Sequence, residues 1–340
     1  MVTPRGTTSK VCVVGTGAFG TVLGLLIAER GARTVLLCRD PDEAKRLRAE
    51  RENRRFLPDV PLPQDMAFTA DPAEAIDGAR LVILAPPAQR LRENLAWIGP
   101  ALPAATGLLC ASKGIEVRSG LRMSEVIREA LGPRPGVVLT LSGPNLSGEI
   151  AGHLPAAAVV AGPPEAEAGI VRVQEVLSSD RFRTYGSHDQ IGVELGGALK
   201  NVIAIACGIG DGLGFGHNAR AALLTRGLAE ITRLVVACGG DARTMSGLAG
   251  VGDLMTTVAS SASRNYSLGV ALGRGERLAD YAARSVHIAE GVPTTRAAVA
   301  LGERLGVELP IAQQLRAVLD EECTPLAGAT ALMRRALVAE

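Results

Sequence analysis

Val11-Cys12-Val13-Val14-Gly15-Thr16-Gly17-Ala18-Phe19-Gly20 sets the reading of the whole chain. Four apolar, mostly β-branched residues read as a buried strand, and they run directly into G-x-G-x-x-G. A helical pattern, Thr21–Arg30, follows. In such a strand–turn–helix, Gly15 permits the tight turn and Gly17 admits a pyrophosphate close to the backbone. Gly20 lets the helix pack onto the strand. The free N–H groups at the helix start then face the phosphates, so the stretch predicts a dinucleotide site.

Further strand candidates are Thr34–Cys38, Leu81–Ala85, Gly107–Ala111, Val137–Leu141, Ala156–Val160 and Phe182–Tyr185. Several are continuous apolar runs without alternation, as parallel strands covered on both faces should be. Helical segments such as Phe19–Arg30 and Pro41–Glu52 lie between them, and Arg46–Arg55 reads as a solvated helix face. This rhythm predicts an α/β fold with a Rossmann-type doubly wound sheet. After about Ser187 the β-branched runs stop, and helical patterns occupy Asp189–Ile209, Ala219–Cys238, Arg264–Arg274, Thr294–Leu305 and Ile311–Glu321. The expected organisation is a flexible N-terminus over 1–9, a dinucleotide-binding domain over 10–188 and an all-α C-terminal domain over 189–340.

The totals narrow the function classes. A net charge of +1 and 3% aromatic residues give neither the basic footprint nor the stacking platform of a nucleic-acid binder. Six scattered cysteines without C-x-x-C spacing read as buried, reduced thiols, and no metal is expected. His153, His188, His217 and His287 share no metal-ligand spacing. The longest uncharged apolar stretch near the middle, Asn201–Gly210, falls short of a membrane span, and no apolar leader is visible. A cytoplasmic protein is therefore expected, and the glycine-rich helices hint at a homodimer.

Arginine supplies 32 of the 36 cations, so the four lysines stand out: Lys10 and Lys45 read as surface residues, Lys113 and Lys200 lie in apolar segments. Lys200 and Asn201 interrupt a nearly uncharged helix, Gly192–Ala206, rich in glycine and alanine. A desolvated ammonium loses affinity for its proton and can exchange it with a reacting oxygen, which arginine cannot do. Lys113 sits at a strand tip, where open α/β sheets bind ligands, and is either an anion contact or a surface lysine. Arg39, at the tip of the second strand ahead of Asp40, favours the 2′-phosphate of NADP, with NAD remaining open. Ser142-Gly143-Pro144-Asn145 reads as a turn at the same sheet edge. Ser263-Arg264-Asn265 offers either a helix cap or a phosphate clamp, and Glu290-Gly291 a helix stop.

In this order, from Val11 to about Val318, the motifs resemble the bacterial-type NAD(P)-dependent glycerol-3-phosphate dehydrogenases. The most specific are Gly192-Val-Glu-Leu-Gly-Gly-Ala-Leu-Lys-Asn-Val-Ile-Ala204, Asn218-Ala-Arg220 with Thr225–Glu230, and Ala249-Gly-Val-Gly-Asp-Leu254. The resemblance implies reversible reduction of dihydroxyacetone phosphate to sn-glycerol 3-phosphate for glycerophospholipid synthesis, with Lys200 as general acid/base. It also implies substrate contacts at Lys113, Gly143, Asn145, Lys200, Asp253, Ser263, Arg264 and Asn265. Cofactor contacts are implied at Gly15, Gly17, Ala18, Phe19, Gly20, Arg39, Lys113, Ser147, Arg264, Ile288 and Glu290. One departure is Asn145-Leu146-Ser147, where the family has Thr or Ser, an aromatic-like residue and Ala. A related dehydrogenase acting on another hydroxy acid or phosphorylated substrate, or a non-catalytic NADP(H) sensor, would share the dinucleotide motif.

Overall fold

The structure, a computed structural model, describes residues 10–104, 106–133, 136–260, 263–285 and 289–336. Two compact units emerge, one from the residues up to Ser112 with Met123–Val193, the other from Lys113–Arg122 with Glu194–Glu340.

The first unit runs β1 (Lys10–Val14), α1 (Ala18–Glu29), β2 (Thr34–Leu37), α2 (Pro41–Glu50), β3 (Glu52–Asn53), β4 (Leu57–Pro61), β5 (Ala67–Thr69) and α3 (Pro72–Ile76). It continues through β6 (Ala79–Leu84), α4 (Leu91–Ile98), β7 (Gly107–Cys110), α5 (Met123–Leu131), β8 (Val138–Ser142), α6 (Ser147–Ala151), β9 (Ala156–Ala161), α7 (Glu167–Leu177) and β10 (Phe182–Ser187). Eight strands form one sheet in the order β10-β9-β8-β7-β6-β1-β2-β5. The run from β5 to β8 is parallel, which sets the ends of β1, β2, β6, β7 and β8 along one edge.

The sheet is mixed, beyond the parallel strands that the apolar runs predicted. β9 pairs antiparallel with β8 and parallel with β10, so the last two strands run against the rest. The β8–β9 connection contains only the short α6, and an antiparallel return requires no long crossover. Arg46–Arg55 is likewise not one helix face: α2 ends at Glu50, Arg51 turns left-handed at φ 52°, and Glu52–Asn53 pairs with β4. Lys10 also does more than decorate the surface, because its ammonium donates to the Glu74 and Asp77 carbonyls at the end of α3.

After Ser187 the described residues hold helices and turns only. The helices are α8 (Gln190–Gly212), α9 (His217–Ala237), α10 (Asp253–Ala259), α11 (Arg264–Gly273), α12 (Leu278–Arg284), α13 (Gly291–Leu305), α14 (Pro310–Leu319) and α15 (Pro325–Met333). Glycine decides how α8 and α11 meet. A Cβ on Gly208 would lie 2.2 Å from the Tyr266 carbonyl oxygen, and one on Gly269 would lie 2.1 Å from that of Ile205. Backbones can cross this closely only without side chains. The same register, continued one turn back, brings Asn201 to Asn265.

α8 holds an 18-residue window apolar enough to cross a bilayer by length and composition, longer than the Asn201–Gly210 stretch read from sequence. Of that window 89% is buried inside the protein, which marks a core helix. Cys12, Cys38, Cys110 and Cys207 are buried free thiols, whereas Cys238 and Cys323 are partly exposed. Burial pushes the thiols of Cys12, Cys38 and Cys207 up to about 12.

Candidate active site

In the first unit the glycine motif lies between β1 and α1. Gly15 has φ +112°, and a Cβ there would press on the Ala85 backbone at 3.0 Å. Gly20 permits the helix start to touch the turn, since its Cβ would lie 2.2 Å from the Gly15 carbonyl oxygen. Nothing lies within 4 Å of a Cβ on Gly17, the N-cap of α1. Ala18, Phe19 and Gly20 form the first helical turn, which carries no acidic residue and no side-chain cap. An open Gly17 beside uncapped helix N–H groups fits a pyrophosphate.

Sequence reading missed the brace of this loop. Asn53, 3% exposed, donates from Nδ2 to the Thr16 carbonyl at 2.7 Å and to Thr21 Oγ1 at 2.8 Å. Thr16 in turn donates to Glu43 at 3.0 Å. The brace comes from β3, more than thirty residues away, so no local spacing announces it.

At the β2 tip, the Arg39 guanidinium lies over the Trp97 ring, 4.8 Å from its centroid, and pairs with Glu93 at 3.0 Å. The neighbouring Asp40 caps α2, accepting the Asp42 N–H at 2.9 Å. The acid at this tip is thus engaged with its own helix. Along the same edge, Ser112 Oγ ties the residues after β7 to the Pro86 carbonyl at 2.5 Å. After β8, Gly143 has φ +130° and a Cβ there would meet Ala158 Cα at 3.0 Å, so glycine is required by the approach to β9. Both amide atoms of Asn145 are shielded without a hydrogen-bond partner among the described residues, as is Ser142 Oγ. Ser147 is the first residue of α6 and stays partly exposed.

The second unit gathers the charged groups. Asp253, 1% exposed, heads α10 and bridges two ammonium ions. Its Oδ2 accepts from Lys113 Nζ at 2.6 Å, and its Oδ1 from Lys200 Nζ at 2.7 Å. Lys200 also donates to Thr257 Oγ1 at 2.6 Å, while the Thr257 hydroxyl donates to the Asp253 carbonyl at 2.6 Å. Thr257 was not singled out from sequence; it stands four residues after Asp253 on one helix, the spacing that places both on one face. An ammonium has three N–H donors, so Lys200 keeps one without a partner among the described residues.

Burial lowers the Lys200 pKa to about 8, against the opposing pull of Asp253; the charges of Lys113 and Arg264 add to the lowering. A lysine poised there exchanges its proton close to neutral pH.

Ser263 caps α11 by accepting the Tyr266 N–H at 3.3 Å, so its hydroxyl oxygen is already engaged. Arg264 follows as an exposed first helical residue, with Glu290 as an acidic neighbour and no ion pair among the described residues. Asn265 Oδ1 accepts the Gly291 N–H at 2.9 Å, and its Nδ2 donates to Asn201 Oδ1 at 2.9 Å. Ile288 lies outside the described residues. The second unit therefore assembles Lys113, Lys200 and Asp253 directly, whereas the glycine motif, Arg39, Gly143, Asn145 and Ser147 belong to the first.

Known proteins match this chain over nearly its whole length. Residues 10–168 match the family model described as the NAD-dependent glycerol-3-phosphate dehydrogenase N-terminus, and residues 189–329 match that of its C-terminus. A glycerol-3-phosphate dehydrogenase [NAD(P)+] of Citrifermentans bemidjiense is 45% identical over 97% of this chain and 98% of its own length. The corresponding protein of Thermobifida fusca is 45% identical over 96% of this chain and 97% of its own. A solved glycerol-3-phosphate dehydrogenase from Coxiella burnetii superposes with a TM-score of 0.91 at 34% identity, covering 96% of this chain and 99% of that one. Two matched domains in the same order, over nearly the whole length, leave one assignment: the chain belongs to the NAD-dependent glycerol-3-phosphate dehydrogenase family.

Proposed function

We propose that this enzyme reversibly reduces dihydroxyacetone phosphate to sn-glycerol 3-phosphate with NADPH or NADH, with Lys200 as the general acid/base. The observation that carries the reading is the Lys113–Asp253–Lys200 bridge with Lys200 held at about 8. A bound nicotinamide supplies the hydride to C2 of the ketone, or takes it back from the alcohol. Lys200 uses its remaining N–H to protonate the C2 oxygen, so that no alkoxide is left behind. In the reverse direction the neutral amine removes that proton.

Asp253 and Thr257 hold the Lys200 amine in place, and positioning of this kind supplies a large part of a barrier reduction. Lys113 and Lys200 together outweigh the single Asp253 charge, which suits a dianionic phosphate ester better than a neutral ketone. Arg264 at the head of α11 supplies the phosphate clamp. Gly143 and Asn145 are the further substrate contacts in this reading, and the shielded, unpartnered amide of Asn145 supports a ligand there. Gly15, Gly17, Ala18, Phe19, Gly20, Arg39 and Ser147 serve the dinucleotide, with NADP favoured by Arg39 and by the engagement of Asp40. A cytoplasmic homodimer feeding glycerophospholipid synthesis completes the reading.

The test is reduction of dihydroxyacetone phosphate by the purified chain with NADPH and with NADH, followed by loss of reduced-nicotinamide absorbance. Turnover is expected with at least NADPH, and none with 2-oxo acids that lack phosphate. Turnover of an oxo acid in place of the triose phosphate would overturn the substrate assignment.

A further inference from the structure

We propose that Arg39, Arg90 and Glu93 are a preassembled site for the 2′-phosphate of NADP, in which the Glu93 carboxylate holds the place of that phosphate and sets the balance between NADP and NAD. The proposal rests on the dinucleotide reading of the first unit. Glu93, in the first turn of α4, accepts from Arg39 Nη2 on Oε1 at 3.0 Å and pairs through Oε2 with Arg90 Nε at 3.2 Å. One carboxylate thus spans two guanidinium groups, and a phosphate can meet the same pair with more charge and a further oxygen.

Arg39 is held for this role. Its guanidinium lies over the ring of Trp97, one turn further along α4, so it keeps its place when its ion pair is exchanged. The three charged side chains are 50%, 65% and 47% exposed for Arg39, Arg90 and Glu93. Exposed pairs of this kind contribute little each and exchange readily, so an incoming dianion can displace the carboxylate. With a 2′-hydroxyl instead, Glu93 stays on both arginines and no guanidinium is left unpaired. The arrangement therefore accepts either cofactor and makes Glu93 the competitor of only one.

Trp97 is the single tryptophan, so its emission reports directly on this corner. The full chain is titrated with adenosine 2′,5′-bisphosphate and with 5′-AMP, with calorimetry reading the same affinities where fluorescence is silent. Glu93→Gln keeps the shape and a helix-compatible residue, and Arg90→Ala removes one arm. The expected result is a bisphosphate-to-AMP affinity ratio about tenfold higher in Glu93→Gln and several-fold lower in Arg90→Ala. Probes that bind the wild-type chain but give the same ratio in both variants would refute the proposal and leave the dinucleotide reading intact. A change in Arg90→Ala alone refutes the competitor role of Glu93. If neither probe binds the wild-type chain, the dinucleotide reading itself fails and this site with it.

Discussion

Asp253→Asn keeps the shape of the side chain and removes the carboxylate that Lys113 and Lys200 share at 2.6 and 2.7 Å. Two ammonium ions then face each other around a position that is 1% exposed. At an effective dielectric of about 20, one such contact is worth ~6 kcal/mol before desolvation, and deleting one partner of a buried pair costs about 3–5 kcal/mol. Lys200 can relieve part of that cost by giving up its proton. It starts from about 8, lowered by burial, with Asp253 as the foremost group pulling the other way. A further fall of only ~1 pKa unit, or ~1.4 kcal/mol, brings its midpoint to about 7.

The sign follows from the role. Ketone reduction needs protonated Lys200, so the wild-type kcat is level below pH 8 and declines above it; alcohol oxidation needs the neutral amine and rises towards pH 8. In Asp253→Asn both inflections move to lower pH. Reduction at pH 7.5 then loses about threefold from protonation alone, with further loss from the misplaced amine. The assay is kcat against pH in both directions, on protein whose thermal melt confirms folding. Inflections that stay at about pH 8 in the variant would refute the coupling between the two residues.

Two further perturbations address the first unit. Gly20→Ala places a Cβ 2.2 Å from the Gly15 carbonyl oxygen, so α1 must retreat from the turn. The expected cost is about 1–3 kcal/mol, read as a Tm lowered by several degrees together with weaker dinucleotide binding. Asn53→Ala deletes the two hydrogen bonds that brace Thr16 and Thr21 and leaves the partly buried Thr16 carbonyl with only the longer bond from Thr21 Oγ1 at 3.3 Å. A loss of about 1–2 kcal/mol at the loop should raise the dinucleotide Kd roughly tenfold, measured by calorimetry, while the KM for triose phosphate changes far less.

What the sequence made legible follows from how local each signal is. The β1–α1 glycine motif carries its whole explanation within ten residues: Gly15 and Gly20 have distinct steric reasons in the structure, and Gly17 leaves open space at the helix start. The sparsely charged α8 announced close packing because glycine and alanine recur at helical spacing, and α11 meets it at Gly269. Lys200 stood out because arginine serves nearly everywhere else. Asn53 and Trp97 were not legible, since each acts on a residue brought near only by the sheet order. The reversal of β9 escaped because an apolar run has the same appearance in either direction. Short helices such as α10 and α12 escaped too, as seven residues hold barely two turns of periodicity.

The central claim is that Lys200 delivers the proton to the C2 oxygen. Single-turnover reduction of dihydroxyacetone phosphate by Lys200→Arg, compared with the wild-type chain over pH 6–10, tests it most directly. Arginine keeps the charge beside Asp253 but holds its proton throughout this range. The account predicts a rate at least ~10² lower, with the inflection near pH 8 abolished and the thermal melt retained. A variant that keeps its rate to within a few-fold and still declines above pH 8 would contradict it.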